Sequence, residues 1–119
     1  MSDEFIKIAT SEINEEISTL EKIMSTCQND ADVLLNADKF EKCTHKIKGL
    51  APMMGKEILG SFSGVLDSIL KKMIDGLSID GVFSVFCDSI YSMKQCMVEP
   101  DYDFAEINSK VSQILNNSN

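Results

Sequence analysis

Apolar residues recur at spacings of three and four along nearly the whole chain, and alternation with period two is scarce. A helix brings such positions onto one side, whereas a half-buried strand needs every second residue apolar. The pattern therefore restricts the chain to an all-helical fold. The first predicted helix has Ser2 or Asp3 as its cap and acids in its first turn. It carries Ile6, Ala9, Ile13, Ile17, Leu20 and Met24 on one stripe and ends near Cys27, before Gln28-Asn29-Asp30. Residues 31 to 35 read equally as an extra turn or a loop.

A second helix is expected from an Asn36 cap, with Asp38 in its first turn, to about Met53; its inner stripe is Phe40, Cys43, Ile47, Leu50 and Met54. A third, from about Lys56 to Asp75, lies between Gly55 and Gly76 and turns Leu59, Phe62, Leu66, Ile69 and Met73 inward. The fourth, from about Ser78 to Val98, uses Val82, Phe83, Phe86, Ile90, Met93 and Met97 and stops before Pro100, because proline disfavours helix at the residue preceding it. A last helix, about Phe104 to Leu115, presents Phe104, Ile107, Val111 and Ile114. Short connections between long amphipathic helices favour antiparallel neighbours, so the expected architecture is an antiparallel up-down four-helix bundle with an additional C-terminal helix. One domain, 1–115, is expected, with the polar residues 116–119 as the start of a linker.

The 119 residues allow a single core. A formal charge of −8, with lysine but no arginine, argues against nucleic acid, whose phosphates require a basic surface. The opening Met1-Ser2-Asp3-Glu4 lacks the basic and apolar regions of a signal peptide, and no apolar run reaches membrane-span length, so no membrane partner and a cytoplasmic location are expected. Cys27, Cys43, Cys87 and Cys96 form no Cys-x-x-Cys pair and are read as reduced thiols, several of them buried. The seven methionines read as core filler.

His45 is the only histidine. With Ile47 at the centre of the inner stripe, a rotation of about 100° per residue places His45 roughly 160° away, facing outward. Gly49 lies one turn further along that outer face, where glycine is about 1 kcal/mol less favourable than alanine. Removing a side chain beside an exposed imidazole opens it to another protein or to a phosphoryl group. Lys39, Lys42, Lys46 and Lys48 outnumber Glu41 here, a local positive excess on an acidic chain and a place to hold an anion. A solvated helix face is an adequate account of the lysines other than Lys48.

The segment His45-Lys46-Ile47-Lys48-Gly49-Leu50-Ala51-Pro52-Met53-Met54-Gly55 resembles the His-x-x-Lys-Gly-x-x-x-x-x-Gly signature of histidine-containing phosphotransfer (HPt) domains, on the helix where that family carries it. The order of helices after the motif, with Pro100-Asp101-Tyr102-Asp103-Phe104 leading into a last one, is similar to the N-terminal phosphotransfer domains of chemotaxis kinases of the CheA type.

The resemblance implies a carrier. His45 would accept a phosphoryl group from the catalytic domain of a histidine kinase and pass it to an aspartate of a CheY-like response-regulator receiver, with Lys48 offsetting the phosphoryl charge. Gly49, Lys42, Lys46 and Gly64 would give partners access. No cofactor is expected on this chain; ATP and Mg²⁺ would come with the kinase, and Mg²⁺ with the receiver. No glycine-rich nucleotide loop is present, so the domain is expected to be a substrate, part of an enzyme only if it belongs to a larger kinase. It is expected to be monomeric in isolation.

On the third helix Gly60, Ser63, Gly64 and Asp67 form a stripe of small and polar residues. In the CheA-type relatives this face lies beside the phosphoacceptor and carries a glutamate that hydrogen-bonds the histidine. Asp67 aligns with it one methylene short, which leaves open whether it meets His45 directly or through a water. Gly64 stands where some relatives have a second histidine. Glu41, where many relatives have phenylalanine, and Pro52, which removes an intrahelical hydrogen bond and can kink the helix, also depart from the pattern. The alternatives are a free-standing HPt relay protein and an HPt-like docking adaptor that carries no phosphate. A metal site joining a cysteine to His45 is disfavoured, since no pair has zinc-type spacing and Cys43 faces in while His45 faces out. A di-iron bundle needs a second histidine.

Overall fold

The computed structural model describes residues 2–117. Among them are six helices and no strand: α1 (Asp3–Ser25), α2 (Asp30–Leu35), α3 (Ala37–Met53), α4 (Glu57–Ile74), α5 (Val82–Cys96) and α6 (Ala105–Asn116). The expected tail keeps only Asn116, which closes α6, and Asn117, which caps it; Ser118 and Asn119 lie outside the described residues.

Cross-helix contacts fix the directions. Down the α3–α4 seam, Pro52 meets Gly60, Lys48 meets Gly64, and Thr44 meets Asp67, so one helix descends as the other rises. On α1, Glu21 pairs with Lys94 of α5 at 3.2 Å, while Asp30, just beyond the α1 corner, bonds the start of α5. Lys56, ahead of α4, donates to the Cys96 carbonyl at the end of α5 at 3.1 Å. The result is an antiparallel bundle of α1, α3, α4 and α5 with α6 against α5, as the apolar periodicity required.

The buried stripes meet in one core. Phe40 of α3 and Phe86 of α5 pack edge to face with ring centroids 5.9 Å apart, and Phe104 brings the α6 entry onto Phe62 at 5.0 Å. Burying each such ring contributes roughly 1.5–3 kcal/mol. Cys27, Cys43 and Cys96 are buried free thiols and Cys87 is half-buried. Burial, followed by the Glu16 side chain, pushes the Cys43 thiol up to about 12.

Several boundaries differ from the sequence reading. Residues 31 to 35 belong to α2, whose first N–H groups are capped by Asn29 through a 2.9 Å bond to the Asp32 amide. Asn36 stands at the start of α3, but its side chain makes no cap; its amide donates instead to the Asp32 carbonyl at 2.8 Å. The fourth long helix begins at Val82, not Ser78, and ends at Cys96, not Val98. Gly81 has φ +89°, and the Asp30 carboxylate accepts from Gly81 N at 2.9 Å and Phe83 N at 2.8 Å, so the α5 cap comes from another helix. Met24, Leu50, Met54, Phe83 and Met97 are half-buried rather than central, Ile6 is 36% exposed, and Ala51, Leu70 and Val85 are buried in the core.

Pro52 sits one residue from the end of α3, so the intrahelical hydrogen bond its nitrogen cannot make falls in the last turn, where the chain already turns. Lys56 N bonds the Ala51 carbonyl at 2.9 Å and Gly55 adopts φ +86°, a glycine-terminated helix stop. No described helix is long and apolar enough to cross a membrane.

Candidate functional site

The α3–α4 hairpin positions every side chain of the site. His45 projects from the outer side of α3, with its side chain 63% exposed, while Asp67 of α4 faces α3 and is 1% exposed. Their meeting depends on how closely the two helices pass. A Cβ at position 60 would stand 2.6 Å from Pro52 Cγ, so only glycine permits this separation. The stripe of Gly60, Ser63, Gly64 and Asp67 is accordingly turned onto α3: Gly60, Ser63 and Asp67 are buried and Gly64 is half-buried. Gly64 carries the Lys48 stem, whose carbons lie 3.7–3.8 Å from where a Cβ would be.

Asp67 Oδ2 lies 3.6 Å from His45 Nδ1. That is ion-pair distance, slightly longer than a hydrogen bond, and it matches a side chain one methylene short of glutamate. Asp67 also takes Lys71 Nζ on Oδ2 at 3.1 Å, from one turn along α4, and the Thr44 hydroxyl on Oδ1 at 3.3 Å. A buried carboxylate without such partners would be strongly destabilising. Burial by itself would raise Asp67, but hydrogen bonds from Glu41 and Lys71, together with the Lys71 charge, outweigh it and hold the group below the usual aspartate range.

Glu41, which the sequence reading treated as the lone acid among lysines and as a departure from a family pattern, belongs to the site. It stands one turn before His45, with Oε2 at 3.7 Å from Nδ1. Its hydrogen bond to Asp67, then its burial and the Asp67 charge, raise its pKa, opposite in sense to the lowered Asp67. The imidazole thus rests its Nδ1 on an acidic pair, one member from each helix, leaving Nε2 as the nitrogen with no partner among the described residues. Thr44 and Lys71 were not singled out either; their positions next to His45 and four after Asp67 are the available signal.

The remaining expected residues surround this centre. Lys48 lies one turn from His45 and makes no ion pair among the described residues, so its ammonium is available to an anion. Lys42 is exposed, and Lys46 reaches Glu16 of α1 at 3.4 Å, away from the imidazole. Gly49 is exposed with nothing within 4 Å of a Cβ built there, so the approach past it is open. Among the described residues Glu41, His45 and Asp67 are the group whose donor atoms could share a metal ion, all within 4.8 Å of one another; no cysteine takes part. Neither a family model, nor a curated protein, nor a solved structure matches the chain.

Proposed function

We propose that this domain is a phosphoryl carrier of the HPt type. The observation that carries the reading is an exposed imidazole whose Nδ1 lies 3.6 Å from a buried carboxylate while Nε2 has no partner among the described residues. An Nδ1–H facing Asp67 and Glu41 leaves the Nε2 lone pair for attack. That pair forms the N–P bond as the bond from the γ-phosphorus to the ADP oxygen breaks, and ADP leaves with its electrons. The positive charge that develops on the ring faces the acidic pair, and the phosphoryl oxygens come within reach of Lys48. Handover reverses the sequence: a receiver aspartate attacks phosphorus and the N–P electrons return to Nε2.

The donor would be the catalytic domain of a histidine kinase, bringing ATP and Mg²⁺. The acceptor would be a CheY-like receiver with its own Mg²⁺. The helix following Pro100 supports a CheA-type setting, and the domain would then work in the cytoplasm as part of a larger kinase. The open approach over Gly49 and the unpaired ammonium of Lys48 favour a carrier over an adaptor that only docks.

The test is incubation with γ-labelled ATP, with and without a CheA-type kinase core. Expected is label that needs the kinase, is acid-labile and base-stable, and is missing from His45→Gln whose fold is intact by circular dichroism. Equal labelling of His45→Gln, or none from several competent kinase cores, would overturn the reading.

A further inference from the structure

Two carboxylates and an imidazole converge at one point of the α3–α4 seam, and this arrangement has a use besides group transfer. Glu41 and His45 are one turn apart on a single helix, and Asp67 is presented from the facing helix by close packing, so the three donors are held by rigid elements. His45 Nδ1 lies 3.6 Å from Asp67 Oδ2 and 3.7 Å from Glu41 Oε2. Zinc bonds of about 2.0–2.2 Å place neighbouring donors of a tetrahedral site roughly 3.4 Å apart. Two of the three separations are therefore within a few tenths of an ångström of a coordination edge. Asp67 is almost wholly buried and Glu41 largely so, which separates this group from the solvated acidic clusters common on protein surfaces.

We propose that Glu41, His45 and Asp67 bind one first-row divalent cation of the zinc class, through Nδ1 and one oxygen of each carboxylate, with water in the open outward position. A mixed imidazole and carboxylate set suits zinc or cobalt better than magnesium, which takes oxygen ligands. The competitor is Lys71, whose ammonium sits 3.1 Å from the same Asp67 oxygen. Its side chain is 55% exposed, so it can swing into solvent when the ion enters. Lys46 is turned away to Glu16 and does not oppose the ion.

The consequence rests on the carrier reading. An ion on Nδ1 moves the ring proton to Nε2, the nitrogen that must offer a lone pair, so the metal-bound domain would be closed to phosphorylation.

Titration of the metal-free full chain with cobalt(II) chloride tests the site. One equivalent should produce the visible d–d absorption of a four- or five-coordinate ion, bleached by zinc chloride. Affinity should fall by about 100-fold or more in Glu41→Gln and in His45→Gln, beyond the 10- to 100-fold typical of a lost outer partner. It should rise in Lys71→Ala, where the competing cation is gone. No visible band, unchanged affinity in both ligand variants, or a thiolate charge-transfer band assigning the ion to cysteine would overturn the proposal. With the kinase core, zinc-loaded chain should take up label more slowly than metal-free chain; equal rates would overturn the consequence. If metal-free chain takes up no label, the carrier reading fails and the cobalt result stands by itself.

Discussion

The two ends of the α3–α4 seam are held by opposite means. Near the turn the contact is steric: Pro52 occupies the space a Gly60 Cβ would need, 2.6 Å from its ring carbon. Two turns away the contact is electrostatic, with His45, Glu41, Thr44 and Lys71 gathered round the Asp67 carboxylate. At the midpoint a Cβ on Gly64 would stand 3.7 Å from the Lys48 stem, an ordinary van der Waals distance. The steric end sets an interhelical distance that the polar end then uses. Charged groups tolerate a few tenths of an ångström in a way that a proline ring against a backbone does not.

Gly60→Ala should break this contrast most sharply. The forced clash should destabilise the fold by about 1–3 kcal/mol despite the better helix propensity of alanine, measured by urea unfolding. Gly64→Ala should move the other way, gaining up to about 1 kcal/mol, because its new methyl meets Lys48 at normal distance. Equal effects at the two positions would mean that the seam is uniform.

Gly49→Ala separates stability from transfer on the outer face. With nothing within 4 Å of the new carbon, stability should rise by about 1 kcal/mol, while kcat/KM for handover to a receiver should fall if partners approach past this point. Stability and handover rising together would remove Gly49 from the approach.

The smallest effect concerns the opposite shifts of the two carboxyls. Glu41 is raised in the folded chain, so its contribution to stability is complete below its unfolded pKa and is lost as pH rises through the folded value. Asp67 is lowered, and its contribution is lost as pH falls through its folded value. In EDTA, Glu41→Gln keeps a donor toward Asp67 without the titration. Its unfolding free energy should lose the decline on the alkaline side of the glutamate range and keep the acid-side loss. An unchanged pH profile would remove Glu41 from the pH dependence of stability.

The long helices were legible because each must bury a stripe, and a stripe at spacing three and four has few other readings. α2 was not, since six residues are too few to display a period. The start of α5 was missed for a different reason: its cap is the Asp30 carboxylate, supplied across 51 residues of sequence. At the site, the outward direction of His45 followed from rotation about the helix, and Asp67 from the family resemblance. Glu41 escaped because its role requires Asp67 to be opposite it, and pairing between helices is not written in the spacing along either one. The same holds for Lys71, whose position four after Asp67 matters only once that carboxylate is buried.

The reach of Asp30 across the fold also orders the assembly of the molecule. The α3–α4 hairpin joins neighbours in sequence and loses little chain entropy on closing, whereas joining Asp30 to Gly81 closes a loop spanning 51 residues and costs more. We expect the two hydrogen bonds to form late, as a latch on the completed bundle, so that Asp30→Ala should speed unfolding more than it slows folding, as read from a urea chevron. An interaction of that kind lengthens the lifetime of the folded state without hastening its formation.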